Sequence, residues 1–163
     1  MESSSFATAG PTAVVISSTF TSSTAEAGGA IHQSYASTVT VTSTVFMSNH
    51  ASSNLGANST GGGAVTVYGY GNSSPMFEAK TTHFDSNSAS NPGGAILIHG
   101  AANVSLIGVK FTSNTASSYS DIYATQSSTY SCSVGCLPNE ECSGSCSGEV
   151  YAIANQASCG SYW

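Results

Sequence analysis

Arginine is absent from this sequence, and apart from four histidines its only basic side chains are Lys80 and Lys110. Charged residues make up 6% of the chain, where roughly a quarter is usual. With eight carboxylates the net charge is −6, which argues against nucleic acid or an anionic membrane surface as a partner. No apolar run approaches the roughly 18 residues of a membrane-spanning helix, so membrane insertion by this segment is not expected. Met1 to Gly10 has neither a basic nor an apolar stretch and does not read as a secretory signal. Cysteine is missing until Cys132. Sustained helical periodicity is missing too, and the abundant Ser, Thr and Gly are poor helix formers. Solubility therefore has to come from uncharged polar side chains, or from sugars attached to them.

What the chain does have is a repeat. Gly28-Gly29-Ala30-Ile31 is answered by Phe46-Met47-Ser48-Asn49, and Gly62-Gly63-Ala64-Val65 by Phe84-Asp85-Ser86-Asn87. Gly93-Gly94-Ala95-Ile96 is answered by Phe111-Thr112-Ser113-Asn114. Recurrence of a two-part motif marks an internal repeat, which sets the architecture before any site is sought. Phe20-Thr21-Ser22-Ser23 is a degenerate first copy of the Phe motif, and Ser120-Asp121-Ile122-Tyr123 an altered last copy of the glycine motif. Low charge with much Ser, Gly and Asn also marks disordered chains. Apolar residues at fixed repeat positions across residues 11–125 argue for a folded one.

Seven and five residues before each Phe stand Ala13 and Val15, Val39 and Val41, Phe77 and Ala79, and Val104 and Leu106. An interval of two is the period of a strand with one buried face. Ile31, Val65, Ile96 and Ile122 supply a second strand, with the preceding alanine and the following residue expected to face out. One unit of about 26 residues cannot close a core by itself. Stacked units can, each strand pairing in parallel with its counterparts about 4.8 Å above and below. The expected fold is therefore all-β, a parallel β-helix solenoid of about four rungs. Phe20, Phe46, Phe84 and Phe111 would stack in one column, and Asn49, Asn87 and Asn114 would form an amide ladder. A β-sandwich is disfavoured because no two-residue hairpin recurs. The insertions Ala51 to Gly61 and Tyr68 to Ser74 are expected to leave the coil as loops, with Tyr68 and Tyr70 as contact residues.

The paired Gly-Gly-Ala-Ile/Val and Phe-x-x-Asn motifs resemble the repeat of the chlamydial polymorphic outer-membrane proteins, and of related secreted surface proteins. The resemblance covers roughly residues 11–125, with Phe20 lacking its asparagine. It implies a right-handed parallel β-helix displayed outside the cell in adhesive or structural roles.

Composition changes near Ser127, which divides the chain into a repeat domain, 1–126, and a cysteine-rich tail, 127–163. Cys132, Cys136, Cys142 and Cys146 follow a Cys-x3-Cys-x5-Cys-x3-Cys spacing, with Cys159 beyond. That is not the Cys-x2-Cys spacing of common zinc sites. A segment so poor in apolar residues is expected to be held by two disulfides, one cysteine staying unassigned, and to cap the last rung. Asn58-Ser59-Thr60, Asn72-Ser73-Ser74 and Asn103-Val104-Ser105 are N-glycosylation sequons. Cysteines and sequons together read as extracellular or cell-surface, pointing to a mature segment or a piece of a longer secreted protein.

Parallel β-helices also house polysaccharide lyases and polygalacturonases. Such lyases need a calcium-binding acidic cluster and a basic residue, whereas Lys80 and Lys110 stand alone. Glycosidases need paired carboxylates roughly 5–10 Å apart. Glu78 and Asp85 share a unit, but no other unit supplies acids at matching offsets. His32, His50, His83 and His99 are scattered, so neither catalytic residues nor metal ligands are assigned. An ice-binding array fails because Thr38, Thr40 and Thr42 have no threonine rows at equivalent positions in later units. The sequence points to a non-catalytic extracellular structural module, a glycosylated subunit of a surface or filamentous assembly built by stacking. The alternative is an adhesin-type display module. Expected partners are further copies, neighbouring modules of a larger extracellular protein, or carbohydrate taken up by Tyr68, Tyr70 and Tyr119. No cofactor is expected besides covalent N-glycans.

Overall fold

The computed structural model describes residues 10–53 and 60–125, together with the backbone of three strands at 129–133, 150–152 and 158–160. Among these residues there is no helix, and every strand pairing is parallel. The chain visits four sheets, A to D, in the same order four times. The first circuit is β1 (Thr12–Ile16), β2 (Thr19–Thr21), β3 (Thr24–Ala25) and β4 (Ile31–Ser34). The second is β5 (Thr38–Thr42), β6 (Val45–Met47), β7 (His50–Ala51) and β8 (Val65–Tyr68). The third is β9 (Met76–Lys80), β10 (His83–Asp85), β11 (Ser88–Ala89) and β12 (Ile96–His99). The fourth is β13 (Asn103–Ile107), β14 (Lys110–Thr112), β15 (Thr115–Ala116) and β16 (Ile122–Ala124). β17 (Thr129–Ser133) and β19 (Ser158–Gly160) add to sheet A, and β18 (Val150–Ala152) adds to sheet D. This is a stacked parallel-strand repeat of the β-helix or solenoid kind.

Register brings like residues into columns. In sheet A, Ala13, Val39, Phe77 and Val104 are successive partners, as are Val15, Val41, Ala79 and Leu106. Phe20, Phe46, Phe84 and Phe111 align in sheet B, and Ile31, Val65, Ile96 and Ile122 in sheet D. Inward residues of the second to fourth circuits, Val41, Phe46, Phe77, Phe84, Ile96 and Leu106, are wholly buried. On the outer face of sheet A, Thr38, Thr40 and Thr42 lie between Thr12, Val14 and Ile16 on one side and Met76, Glu78 and Lys80 on the other.

The bends are where local chemistry sets the path. A single left-handed residue follows each sheet A strand of the first four circuits (Ser17, Ser43, Thr81, Gly108), and another follows each sheet B strand (Ser22, Ser48, Ser86, Ser113). Non-glycine residues there cost about 1–2 kcal/mol. The bends still extend the inter-rung bonding: Ser43 N–H donates to Lys80 O at 3.0 Å and Ser48 N–H to Asp85 O at 3.0 Å. Before sheet D the left-handed position is Gly28, Gly62, Gly93 and then Tyr119. The second glycine of each pair has a different reason. A Cβ on Gly29, Gly63 or Gly94 would lie 2.3, 2.1 and 2.1 Å from the carbonyl oxygens of Gly63, Gly94 and Ser120. Backbone stacks on backbone at this corner, leaving no room for a side chain.

One expectation needs correction here. Ala64 and Ala95 do not face outward but join the core, and the residues after the column, Thr66 and Leu97, are fully buried as well. The chain entering sheet D crosses back over these positions. Gly62 sits against Val65 O and Thr66 Oγ1, and Thr66 Oγ1 donates to Gly61 O at 2.7 Å. Both faces of β8 and β12 are therefore covered, which a period-two pattern alone does not reveal.

Candidate functional site

The interior carries an ordered polar element. Asn49 Nδ2 donates to Asn87 Oδ1 at 2.9 Å, and Asn87 Nδ2 donates to Asn114 Oδ1 at 3.0 Å. Each amide nitrogen also donates to a phenylalanine carbonyl of the preceding rung: Phe20 O, Phe46 O and Phe84 O. Each amide oxygen also accepts a backbone N–H, from Ser23, Asn49 and Asn87 respectively. Both donors of every carboxamide are thereby used, as are both acceptor positions of Asn87 and Asn114, while Asn49 Oδ1, first in the row, accepts from Ser23 N–H. The row ends on Asp121, whose Oδ1 accepts from Asn114 Nδ2 at 2.8 Å. Asp121 takes the place of the motif alanine in the fourth unit, and the sequence pattern gave no reason to assign it this role. Beside the amides the phenyl rings stack nearly parallel, 4.9, 4.9 and 5.3 Å apart from Phe20 through Phe46 and Phe84 to Phe111. Those spacings are set by the inter-strand distance.

The first rung is built differently. Among the described residues β1, β2, β3 and β4 each lie at the edge of their sheet. Ala13, an inward position, is exposed, while Val15, Phe20 and Ile31 are only partly covered. Gln33 replaces the apolar residues Val67 and Ile98 that share its column. It is 3% exposed, and its Nε2 donates to Ser37 O and Met76 O, both at 2.9 Å. Its Oε1 has no partner, and Gln33 lines a cavity of about 300 Å³ together with Pro11, Thr12, His32 and Thr38.

A third feature is a row of rings where the chain leaves sheet D. Tyr68 stacks on His99 with centroids 4.7 Å apart, Tyr70 lies 6.4 Å from Tyr68, and Tyr35 lies 6.4 Å from Tyr70. Tyr35 and Tyr70 are 66% and 64% exposed. The sequence singled out Tyr68 and Tyr70 but not Tyr35 or His99, which are 33 residues before and 31 after Tyr68 and meet it only through the stacking of rungs. Tyr119 stacks on Tyr123 at 5.3 Å, elsewhere on the sheet D side.

The acidic and histidine side chains are placed as follows. Glu78 pairs with Lys80 at 3.0 Å, and Asp85 Oδ1 accepts from Ser86 Oγ at 3.0 Å. His50 Nδ1 is 2.8 Å from Ser88 Oγ, and His83 Nε2 is 2.9 Å from Thr112 Oγ1. Burial holds the pKa values of His32, His83 and His99 below the ordinary histidine value. At His83 the Asp85 carboxylate works against that shift and Lys110 adds to it. No group of three or more His, Cys, Asp or Glu suited to a metal occurs among the described residues.

Of the sequon asparagines, Asn72 is exposed in a turn and Asn103 is exposed at the start of β13, while Asn58 lies outside the described residues. Cys136, Cys142 and Cys146 also lie outside them. Cys132 and Cys159 belong to β17 and β19, where their Cα positions are register partners. Compared with known proteins, the chain matches no family model, no curated protein and no solved structure.

Proposed function

We propose that the four circuits form one right-handed parallel β-helix of four rungs, acting as a non-catalytic extracellular structural module that assembles by stacking. The observation that carries this reading is the first rung. Its four edge strands present backbone groups along one end of the coil, next to incompletely covered apolar positions at Ala13, Val15, Phe20 and Ile31. Unpaired strand edges template pairing with another chain. Addition of like units end to end is a heterologous contact, which grows into fibres unless it closes. The resemblance of the repeat to outer-membrane surface repeats fits this reading, as does the scarcity of charge on the chain. The cysteine-rich tail at 127–163 would be held by two disulfides, and sugars on Asn72 and Asn103 would coat the sides. Mass loss on treatment with an amide-cleaving glycosidase, after secretion from a eukaryotic host, tests the coat.

Light scattering across a concentration series tests the assembly. Average mass should rise with concentration for the native chain and stay at one unit for Ala13→Lys, which sets a charge on the open end. A native chain that stays monomeric at every concentration would overturn the stacking reading. The exposure of Tyr70 favours the second reading, in which the module displays this corner to a carbohydrate or cell-surface partner.

A further inference from the structure

We propose that the corner formed by Tyr35, Tyr68, Tyr70 and His99 is a stacking platform for a neutral polysaccharide supplied from outside the chain. The four rings come from three successive rungs and form a continuous row, His99 to Tyr68 to Tyr70 to Tyr35, with centroid steps of 4.7, 6.4 and 6.4 Å. Its outer two rings are among the most exposed large hydrophobic side chains described, at 66% and 64%. Tyrosine offers a broad apolar face and a polar tip with little side-chain entropy to lose, which suits it to recognition surfaces.

The backbone under these rings is constrained. Tyr70 opens a tight turn in which Ser73 N–H donates to Tyr70 O at 3.0 Å, and Tyr70 N–H donates to Ser73 Oγ at 2.9 Å. Gly71 within that turn has φ +60. Tyr35 itself sits at φ 57, a left-handed conformation that is unfavourable for a bulky residue. At the inner end, Tyr68 covers the His99 ring, whose Nδ1 is buried without a hydrogen-bond partner. The two outer rings are thus held up to solvent rather than folded onto the core.

Charge selects the class of partner. The three segments that build the corner, residues 34–37, 68–75 and 99–103, contain no Asp, Glu, Lys or Arg. Burial keeps His99 neutral near pH 7. Within these segments an anionic ligand would find no cation, and a cationic one no carboxylate. The same segments carry Ser34, Asn72, Ser74 and Asn103, neutral side chains that donate and accept hydrogen bonds. Apolar ring faces bordered by neutral hydroxyls and amides match the C–H faces and hydroxyl edges of uncharged sugars. This does not depend on assembly by rung stacking and can hold if that fails.

The test uses the full chain produced without N-glycans, so that no sugar on Asn72 competes for the corner. It is mixed with insoluble cellulose, chitin, β-1,3-glucan and mannan, and depletion from solution is measured. Retention on at least one of the four is expected, persisting at about 0.5 M salt, because no ion pair contributes. Replacing both outer rings (Tyr35→Ala with Tyr70→Ala) should weaken that retention by about tenfold or more, as two stacking contacts are lost. Tyr35→Phe with Tyr70→Phe should retain it, which separates loss of the platform from loss of the fold. Failure to bind any of the four, salt-labile binding, or equal binding by the double alanine variant would overturn the proposal.

Discussion

Removing the Asn87 side chain should unfold this molecule more readily than almost any other polar substitution. Asn87→Ala deletes the acceptor of Asn49 N–H at 3.1 Å and of Asn49 Nδ2 at 2.9 Å. It also deletes the donor to Phe46 O at 2.9 Å. Asn114 Oδ1 keeps one partner, because Asn87 N–H still donates to it at 2.9 Å. Asn87 and Asn49 are wholly buried, so water does not readily replace what is lost. Two orphaned donors, at about 1–3 kcal/mol each, give a loss of about 4 kcal/mol, since Phe46 O keeps its partner in the β6–β10 ladder. That corresponds to a fall of about 10 °C in Tm for a chain of this size. Asn87→Asp should not rescue it, since an oxygen would then face Phe46 O and Asn114 Oδ1. The control is Asn91→Ala, which removes one peripheral bond to Thr60 Oγ1 and should cost under about 1 kcal/mol. Urea unfolding followed by circular dichroism reads all three variants. Equal stability of Asn87→Ala and Asn91→Ala would refute the ladder as a source of stability.

Phe84→Ala, in the middle of the ring column, should cost about 3–5 kcal/mol in the same assay, and Phe20→Ala at the less covered end clearly less. Gly94→Ala should cost about 3 kcal/mol or more, because its Cβ meets Ser120 O at 2.1 Å and Thr115 O at 2.6 Å. Gly71→Ala has open space around it and should cost only about 1 kcal/mol for its left-handed conformation. Stability should also fall on acidification. His32, His83 and His99 bind a proton less readily when folded than when unfolded. The unfolded chain therefore takes up more protons once pH drops through about 6.5, and stability declines from there toward the lowered folded values. Thermal melts at pH 7.5 and pH 5 check this. His99→Phe keeps a ring on Tyr68 and should remove part of the difference.

Much of this architecture was legible in the sequence, for a physical reason. In a stack of parallel strands each inward position recurs once per rung, so the Asn column and the paired sheet A columns appear as fixed offsets from Phe46, Phe84 and Phe111, and the Ile/Val column follows the Gly-Gly-Ala motif. The buried amides follow from the same logic, since an asparagine repeated at one position finds its partner in its own copy. Features that occur once were not legible. Asp121 ends the ladder from a position that holds alanine elsewhere, and Gln33 stands in an otherwise apolar column. Tyr35 and His99 join Tyr68 and Tyr70 because rung stacking sets His99 and Ser34, the neighbour of Tyr35, opposite Tyr68. The left-handed serines at the bends leave no hydrophobic trace, and the outward expectation failed because Ala64 and Ala95 join the core and the Gly61–Gly62 backbone lies against Thr66.

Assembly through rung stacking is tested most directly by electron microscopy of the protein purified from the extracellular fraction, without denaturation. Regular filaments are expected, with an axial repeat that is a whole number of rungs of about 4.8 Å each. Isolated particles at every concentration would contradict assembly by stacking and leave the tyrosine corner as the module's point of contact.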